Sequence, residues 1–345
     1  MPSALFLSPH LDAAALSCGG LAARLAAQGW RVTLVTLFTE SVPNPQGFAL
    51  HQQTSKGVPP HVDYMALRRR EDVEAARYLG VSRVVHLPLP DAPHRGYSNP
   101  DALFGNILPY DEIDQPLIDH LHRLAGEERP DLILAPLAIG GHVDHRMALR
   151  AVQQARLPGV HAFWRDVPYV MRRNAMQAQE SPDAPWEVAV EVTDFLRRRV
   201  QACAAYRSQL GHLFGGEARM AETLVGFARH EAAVAKLPGR AVEVVACRSK
   251  ADAEFLQRAV TQSGGGGQPG FPASQAPPPP MPYGAPPNNA QTQRYATSPA
   301  PPRRDLPGHG APPSRPIQTQ PQYQGDGHTF GSPSFIPVAT PASAR

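Results

Sequence analysis

The sequence is poor in cysteine: 345 residues hold three, Cys18, Cys203 and Cys247, at wide spacing. That spacing makes neither a disulfide framework nor a CxxC metal pattern, which excludes a disulfide-built scaffold and points to a reduced, cytoplasmic setting. Long apolar runs are missing too. None approaches the roughly 20 residues of a membrane span, and the first residues lack the charged start and long apolar core of a signal peptide. A block of one charge is also absent. The net charge is +3, with Lys and Arg scattered among acids, so neither a nucleic acid nor a membrane is expected as a partner. No Gly-x-Gly-x-x-Gly turn follows the first apolar run, because the glycines of "SPHLDAAALSCGG" fall well inside the next helix; a dinucleotide site is therefore disfavoured. Nothing in the pattern fixes an oligomeric state.

Proline, by contrast, is plentiful and uneven, with about half of the 39 residues falling after Ser263. The stretch 263–345 is rich in Pro, Gly, Gln, Ser and Ala and has hardly any aliphatic clusters. It cannot bury enough apolar surface to offset its chain entropy, so a disordered C-terminal tail is expected there, with one folded domain over 1–262. The "PPPP" and "PPSRP" segments of the tail offer polyproline II surfaces to a protein partner, although a flexible spacer is the plainer reading.

Within 1–262, strand-like and helix-like segments alternate. Ala4–Leu7 reads as a short buried strand and "AAALSCGGLAARLAAQG" as a helix. "RVTLVTLFTE" is a second strand, followed by a polar loop from Ser41 to about Pro60. "DYMALRRREDVEAARYLG" has helical spacing, with Asp63 as N-cap and Gly80 just past the end. "SRVVHLPLPD", "PDLILAP" and "VHAFWRDVPYV" supply three more strands, separated by helices over 111–128 and 145–156. Helical segments near Thr193–His212 and Glu217–Ala235 and a last strand, "AVEVVA", complete the domain. This alternation predicts an α/β fold, a Rossmann-like doubly wound, mostly parallel sheet with helices on both faces. In such a sheet the ligand sits beyond the carboxyl ends of the strands, where strand order reverses, commonly between the first and fourth strands. The loops there carry "HLD" and "GGHVDH", so His10, Asp12, His142, Asp144 and His145 should share one pocket. Imidazoles and carboxylates that converge in a cleft suit a divalent metal such as zinc, which lowers the pKa of bound water to about 7. Taken singly, each cluster also fits a bland role, Asp144 for example as a helix cap.

The order of "SPHLDAAALSCGG", "LRRREDVEAARYLGV" with "LPLPDA", "GGHVDHRMALRAV", "FWRDVPYVMR" and "AAYRSQLGHLF" resembles the PIG-L/LmbE-like family of zinc-dependent N-deacetylases over most of Met1 to about Ala246. The resemblance implies zinc as cofactor, with His10 and His145 as metal ligands and Asp12 as general base. It further implies that a charged His142 stabilises an oxyanion or protonates the leaving amine and that Asp144 orients a neighbouring imidazole. Arg68, Asp166 and Tyr169 would contact the substrate, a small N-acetylated sugar derivative of the N-acetylglucosaminide kind. Arg68 and Glu71, three residues apart on one helix face, read equally as an ion pair. One position departs from the family pattern: its second carboxylate, the third metal ligand, falls at Ala13. Three outcomes stay open. Asp12 turns to the metal, Glu40 at the end of the second strand substitutes, or the protein is a catalytically silent relative that binds a carbohydrate or acts as a scaffold.

Overall fold

The computed structural model describes residues 1–172 and 180–261. The tail expected over 263–345 lies outside the described residues. In chain order the elements are β1 (Ser3–Ser8), α1 (Ala13–Ala27), β2 (Arg31–Thr36), α2 (Gly47–Thr54), α3 (Tyr64–Leu79) and β3 (Arg83–His86). There follow α4 (Pro100–Leu103), α5 (Asp114–Glu128), β4 (Leu132–Pro136), α6 (Val143–Ala155) and β5 (Val160–Trp164). The last are β6 (Trp186–Glu191), α7 (Leu196–Ala204), α8 (Arg207–Phe214), α9 (Glu217–Val234), β7 (Val242–Cys247) and α10 (Lys250–Thr261).

Seven strands form one sheet in the order β3-β2-β1-β4-β5-β7-β6. The first five are parallel, while β7 runs antiparallel to both β5 and β6. The order reverses between β1 and β4, as the alternation predicts. Successive side chains of β1 divide between two cores: Ala4 and Phe6 pack with α1, α3, α7 and α9, whereas Leu5 and Leu7 pack with α5 and α6. A strand buried on both faces has no polar positions, which is why β1 reads as a continuous apolar run.

Several boundaries differ from the sequence reading. The polar loop 41–60 holds the short helix α2, β6 and α10 were not anticipated, and the helix expected over 193–212 is broken into α7 and α8 at Ala205 and Tyr206. Helix α1 is itself interrupted at Cys18 (φ −144°, ψ 30°). The break frees the N–H groups of Gly20 and Leu21, and the buried Glu243 carboxylate accepts both at 2.8 and 2.7 Å. A Cβ on Gly20 would stand 2.7 Å from Glu243 Oε1, so only glycine lets the carboxylate in. Arg199 pairs with Glu243 at 3.3 Å and donates to the Leu16 carbonyl on the other side of the break. All three cysteines are buried and unpaired.

Candidate active site

The loop after β1 is folded back by Ser8, whose hydroxyl donates to the His10 carbonyl at 2.6 Å and accepts the Ala14 N–H at 3.0 Å. This turn starts α1 at Ala13 and delivers His10 and Asp12 to the carboxyl edge of the sheet. Asp12 occupies the N-cap position, yet its side chain makes no capping bond; its Oδ2 lies 3.6 Å from Arg68 Nη2 on α3. Ala13, where the resemblance leads one to expect a carboxylate, is buried and carries only a methyl group.

The loop after β4 is held more tightly. His142 rather than Asp144 caps α6, its Nδ1 accepting the Asp144 N–H at 3.2 Å. That leaves the Asp144 carboxylate for other partners. It takes His10 Nε2 at 2.9 Å, the Ala92 N–H at 3.1 Å and Arg95 Nη1 at 2.8 Å, and is fully buried. His145 Nδ1 lies 2.6 Å from Asp166 Oδ1, while Asp166 Oδ2 accepts the Ile139 N–H at 2.9 Å. The rings of His10, His142 and His145 stand within 4.9 to 5.6 Å of one another, and Tyr169 closes over His145 at 5.4 Å.

Charge follows from these contacts. Burial pushes the Asp144 carboxyl up, but Arg95 and His10 outweigh it and hold the group well below the usual carboxylate range. Burial, with His10 beside it, holds the His142 imidazole well below the usual histidine range. Asp91, on the loop after β3, is pushed up to about 6 by burial and by the nearby Asp144. Its Oδ1 has no hydrogen-bond partner among the described residues, and neither does Arg68 Nε.

The structure thus brings together His10, His142, Asp144 and His145, with Asp12 and Arg68 beside them. Asp166 is fully buried and bonded to His145 and Ile139, so that it backs an imidazole. Arg68 pairs with Asp12 and not with Glu71, whose oxygens are taken by Ser208. Glu40 is not among the clustered metal-type donors. Sequence reasoning missed Arg95, which has no motif to announce it, and Phe104, whose ring meets His142 edge-on at 5.3 Å. Asp91 lay within the quoted "LPLPDA", where a carboxylate after a strand was the available signal.

The donors suit a divalent ion. His10, His142 and Asp144 offer one ligand atom each within 4.8 Å of one another. A neutral His142 and an ionised Asp144 are the protonation states a metal requires. His10 and His145 are each held through one ring nitrogen by a buried carboxylate, the outer support that metal-bound imidazoles usually have, and the other nitrogen of each is left to a ligand.

Residues 5–156, which contain both histidine loops, match the family model PIG-L, GlcNAc-PI de-N-acetylase. These residues form a PIG-L-type domain. It is 29% identical over 211 residues to the 2'-N-acetylparomamine deacetylase of Streptomyces fradiae, covering 59% of this chain and 72% of that one. Two solved PIG-L relatives are similar over 71% of this chain. The zinc-inhibited form of teicoplanin deacetylase Orf2 is 26% identical, with 97% of it covered and a TM-score of 0.59. The A40926 pseudoaglycone deacetylase Dbv21 is 27% identical, with 96% covered and a TM-score of 0.61. These relatives support a hydrolytic N-deacetylase acting on amino-sugar derivatives.

Proposed function

We propose that this PIG-L protein is a zinc-dependent hydrolase that removes the N-acetyl group from a small, N-acetylglucosaminide-like amino-sugar derivative. The observation that carries the reading is the pair of imidazoles in one cleft, His10 and His145, each fixed by its own buried carboxylate. His10 and His145 would hold the ion, with Asp144, clustered with His10 and His142, a carboxylate within reach. Zinc, when bound, would supply a Lewis acid and a water acidic enough to be deprotonated near neutral pH.

The chain's own groups divide the remaining work. Asp12, kept free of capping duty and next to Arg68, takes the proton of the attacking water. Neutral His142 accepts a backbone N–H at Nδ1, which places its proton on Nε2, where it donates to the oxygen of the tetrahedral intermediate. The proton that Asp12 takes from the water is then available to the leaving amine, while His142 keeps its own. Asp144 keeps His10 in one orientation and Asp166 does the same for His145. Arg68 Nε and Asp91 Oδ1, a donor and an acceptor without hydrogen-bond partners among the described residues, suit adjacent sugar hydroxyls. Tyr169 and Phe104 offer ring faces beside them.

Ala13 favours a second reading, a catalytically silent, carbohydrate-binding relative, because catalytic zinc normally has three protein ligands. Metal analysis together with acetate release decides between the two. The hydrolase reading expects close to one zinc per chain after reconstitution and acetate from at least one member of a panel of N-acetylglucosaminides and N-acetylated aminoglycosides. No retained metal and no acetate would leave the silent reading in possession.

A further inference from the structure

The sequence "YRSQ" at the start of α8 has no part in the chemistry above, yet all four residues bond to α3. Tyr206 donates its hydroxyl to Asp72 Oδ1 at 2.7 Å, and Arg207 makes a bidentate pair with Glu74 at 2.9 and 2.7 Å. Ser208 donates its N–H to Glu71 Oε1 at 2.8 Å and its hydroxyl to Glu71 Oε2 at 2.7 Å. Gln209 Nε2 donates to the Tyr64 hydroxyl at 2.8 Å and to Ser208 Oγ at 2.7 Å. Tyr206, Ser208, Gln209, Glu71 and Asp72 are all buried.

The pattern centres on Arg68. Three residues before Glu71 on the same helix face, its guanidinium would ordinarily pair with that carboxylate, since residues at this spacing are neighbours. The buried guanidinium instead turns to Asp12 on the loop after β1, at 3.6 Å. Ser208 explains the choice, because its N–H and hydroxyl each take a lone pair on one Glu71 oxygen and anchor the carboxylate to the start of α8 instead of to Arg68. The Gln209 arm adds a second restraint: it fixes the hydroxyl of Tyr64, whose ring lies under the Arg68 guanidinium at 5.6 Å.

We propose that the Tyr206–Gln209 segment is a positioning latch in which Ser208, by occupying Glu71, keeps Arg68 turned toward Asp12 and the substrate. The proposal rests on the N-deacetylase reading for its consequence in catalysis, but not for its geometry.

The test is a rescue. Ser208→Ala frees Glu71 Oε2 while the backbone bond to Oε1 and the contacts of Tyr206, Arg207 and Gln209 keep α8 docked; should it fail to fold, Ser208→Cys keeps the volume with a far weaker donor. A crystal structure of the variant is expected to show Arg68 on Glu71 and no longer on Asp12, with kcat/KM for an N-acetylated sugar lowered about tenfold. Adding Glu71→Gln removes the competing charge. The double variant is expected to return Arg68 to Asp12 and kcat/KM to within about threefold of the parent, a strongly non-additive result. Additive losses, or an Arg68 that stays on Asp12 when Ser208 is cut back, would overturn the latch. If the parent releases no acetate from any substrate, the deacetylase reading fails while the two crystal structures still decide the latch.

Discussion

The two walls of the cleft differ in how completely their polar groups are paired. On the wall built by the loop after β4, Asp144 Oδ2 has His10 and a backbone N–H, Asp144 Oδ1 has the Arg95 cation at 2.8 Å though without hydrogen-bond geometry, and Asp166 has His145 and another backbone N–H. On the wall built by the loops after β1 and β3 and by α3, Arg68 Nε and Asp91 Oδ1 have no hydrogen-bond partner among the described residues. Arg68 reaches Asp12 only at 3.6 Å, and Ala13 offers no polar atom at all. Buried polar groups are nearly always satisfied, so a saturated wall is a scaffold and an unsatisfied one is where a ligand completes the bonding. The comparison assigns orientation of the imidazoles to the first wall and recognition to the second.

Breaking the saturated wall should have the largest effect. Arg95 is buried against Asp144 and Asp111, so Arg95→Ala leaves two carboxylates without their cation. Removing one partner of a buried pair costs about 3–5 kcal/mol, and urea unfolding at neutral pH should show a loss of that size. A loss below about 1 kcal/mol, the value of an exposed pair, would mean that this wall is wet and the contrast is not real.

The next effect comes from filling the gap on the other wall. Ala13→Asp restores the carboxylate that the family pattern places there, and zinc affinity measured by competition with a chelator should rise about a hundredfold, on the scale of the ligand-supporting groups around metals. Without metal the variant should be less stable, since the position is buried and the added carboxylate has no partner there. Unchanged zinc affinity would show that a residue already present fills the third position.

How much of this contrast can be read from the chain follows from how each group is specified. The order of strands and helices is visible because β1, β2 and β4 are apolar on both faces, and the switch point between β1 and β4 follows from that order. His10, Asp12, His142, Asp144 and His145 stand on those two loops, so the topology alone brings them together. The downward shift of the His142 imidazole is not legible, because its surroundings include Phe104, which has no sequence link to the motif. Asp166 was legible as a site residue but not as the partner of His145, because nothing in "RDVPY" says which way its carboxylate turns. Strand β6 alternates in burial as an edge strand does, yet "WEVAVE" is short and carries two glutamates, which masks its pattern. The break in α1 depends on Glu243, more than 220 residues away in sequence.

The smallest effect separates the two walls by pH. Asp144 and Asp91 are neighbouring carboxyls shifted in opposite directions, the first held down by Arg95 against its burial, the second pushed up to about 6. An unfolded aspartate titrates near 3.9, so between about pH 4 and 6 the folded chain keeps a proton on Asp91 that the unfolded chain has released. Stability from this group is therefore full below about pH 4 and is lost as pH rises through about 6, above which the ionised, poorly paired carboxylate carries a constant penalty of about 2–3 kcal/mol. Asp144 has the reverse sign: its contribution is present above about pH 4 and is lost only as acid protonates it. Asp91→Asn removes one term and keeps the other. The unfolding free energy of the variant minus that of the parent should become more favourable by about 2 kcal/mol between pH 4 and pH 7 and stay level above that. A difference that does not move with pH would place Asp91 among the satisfied groups and erase the distinction between the walls.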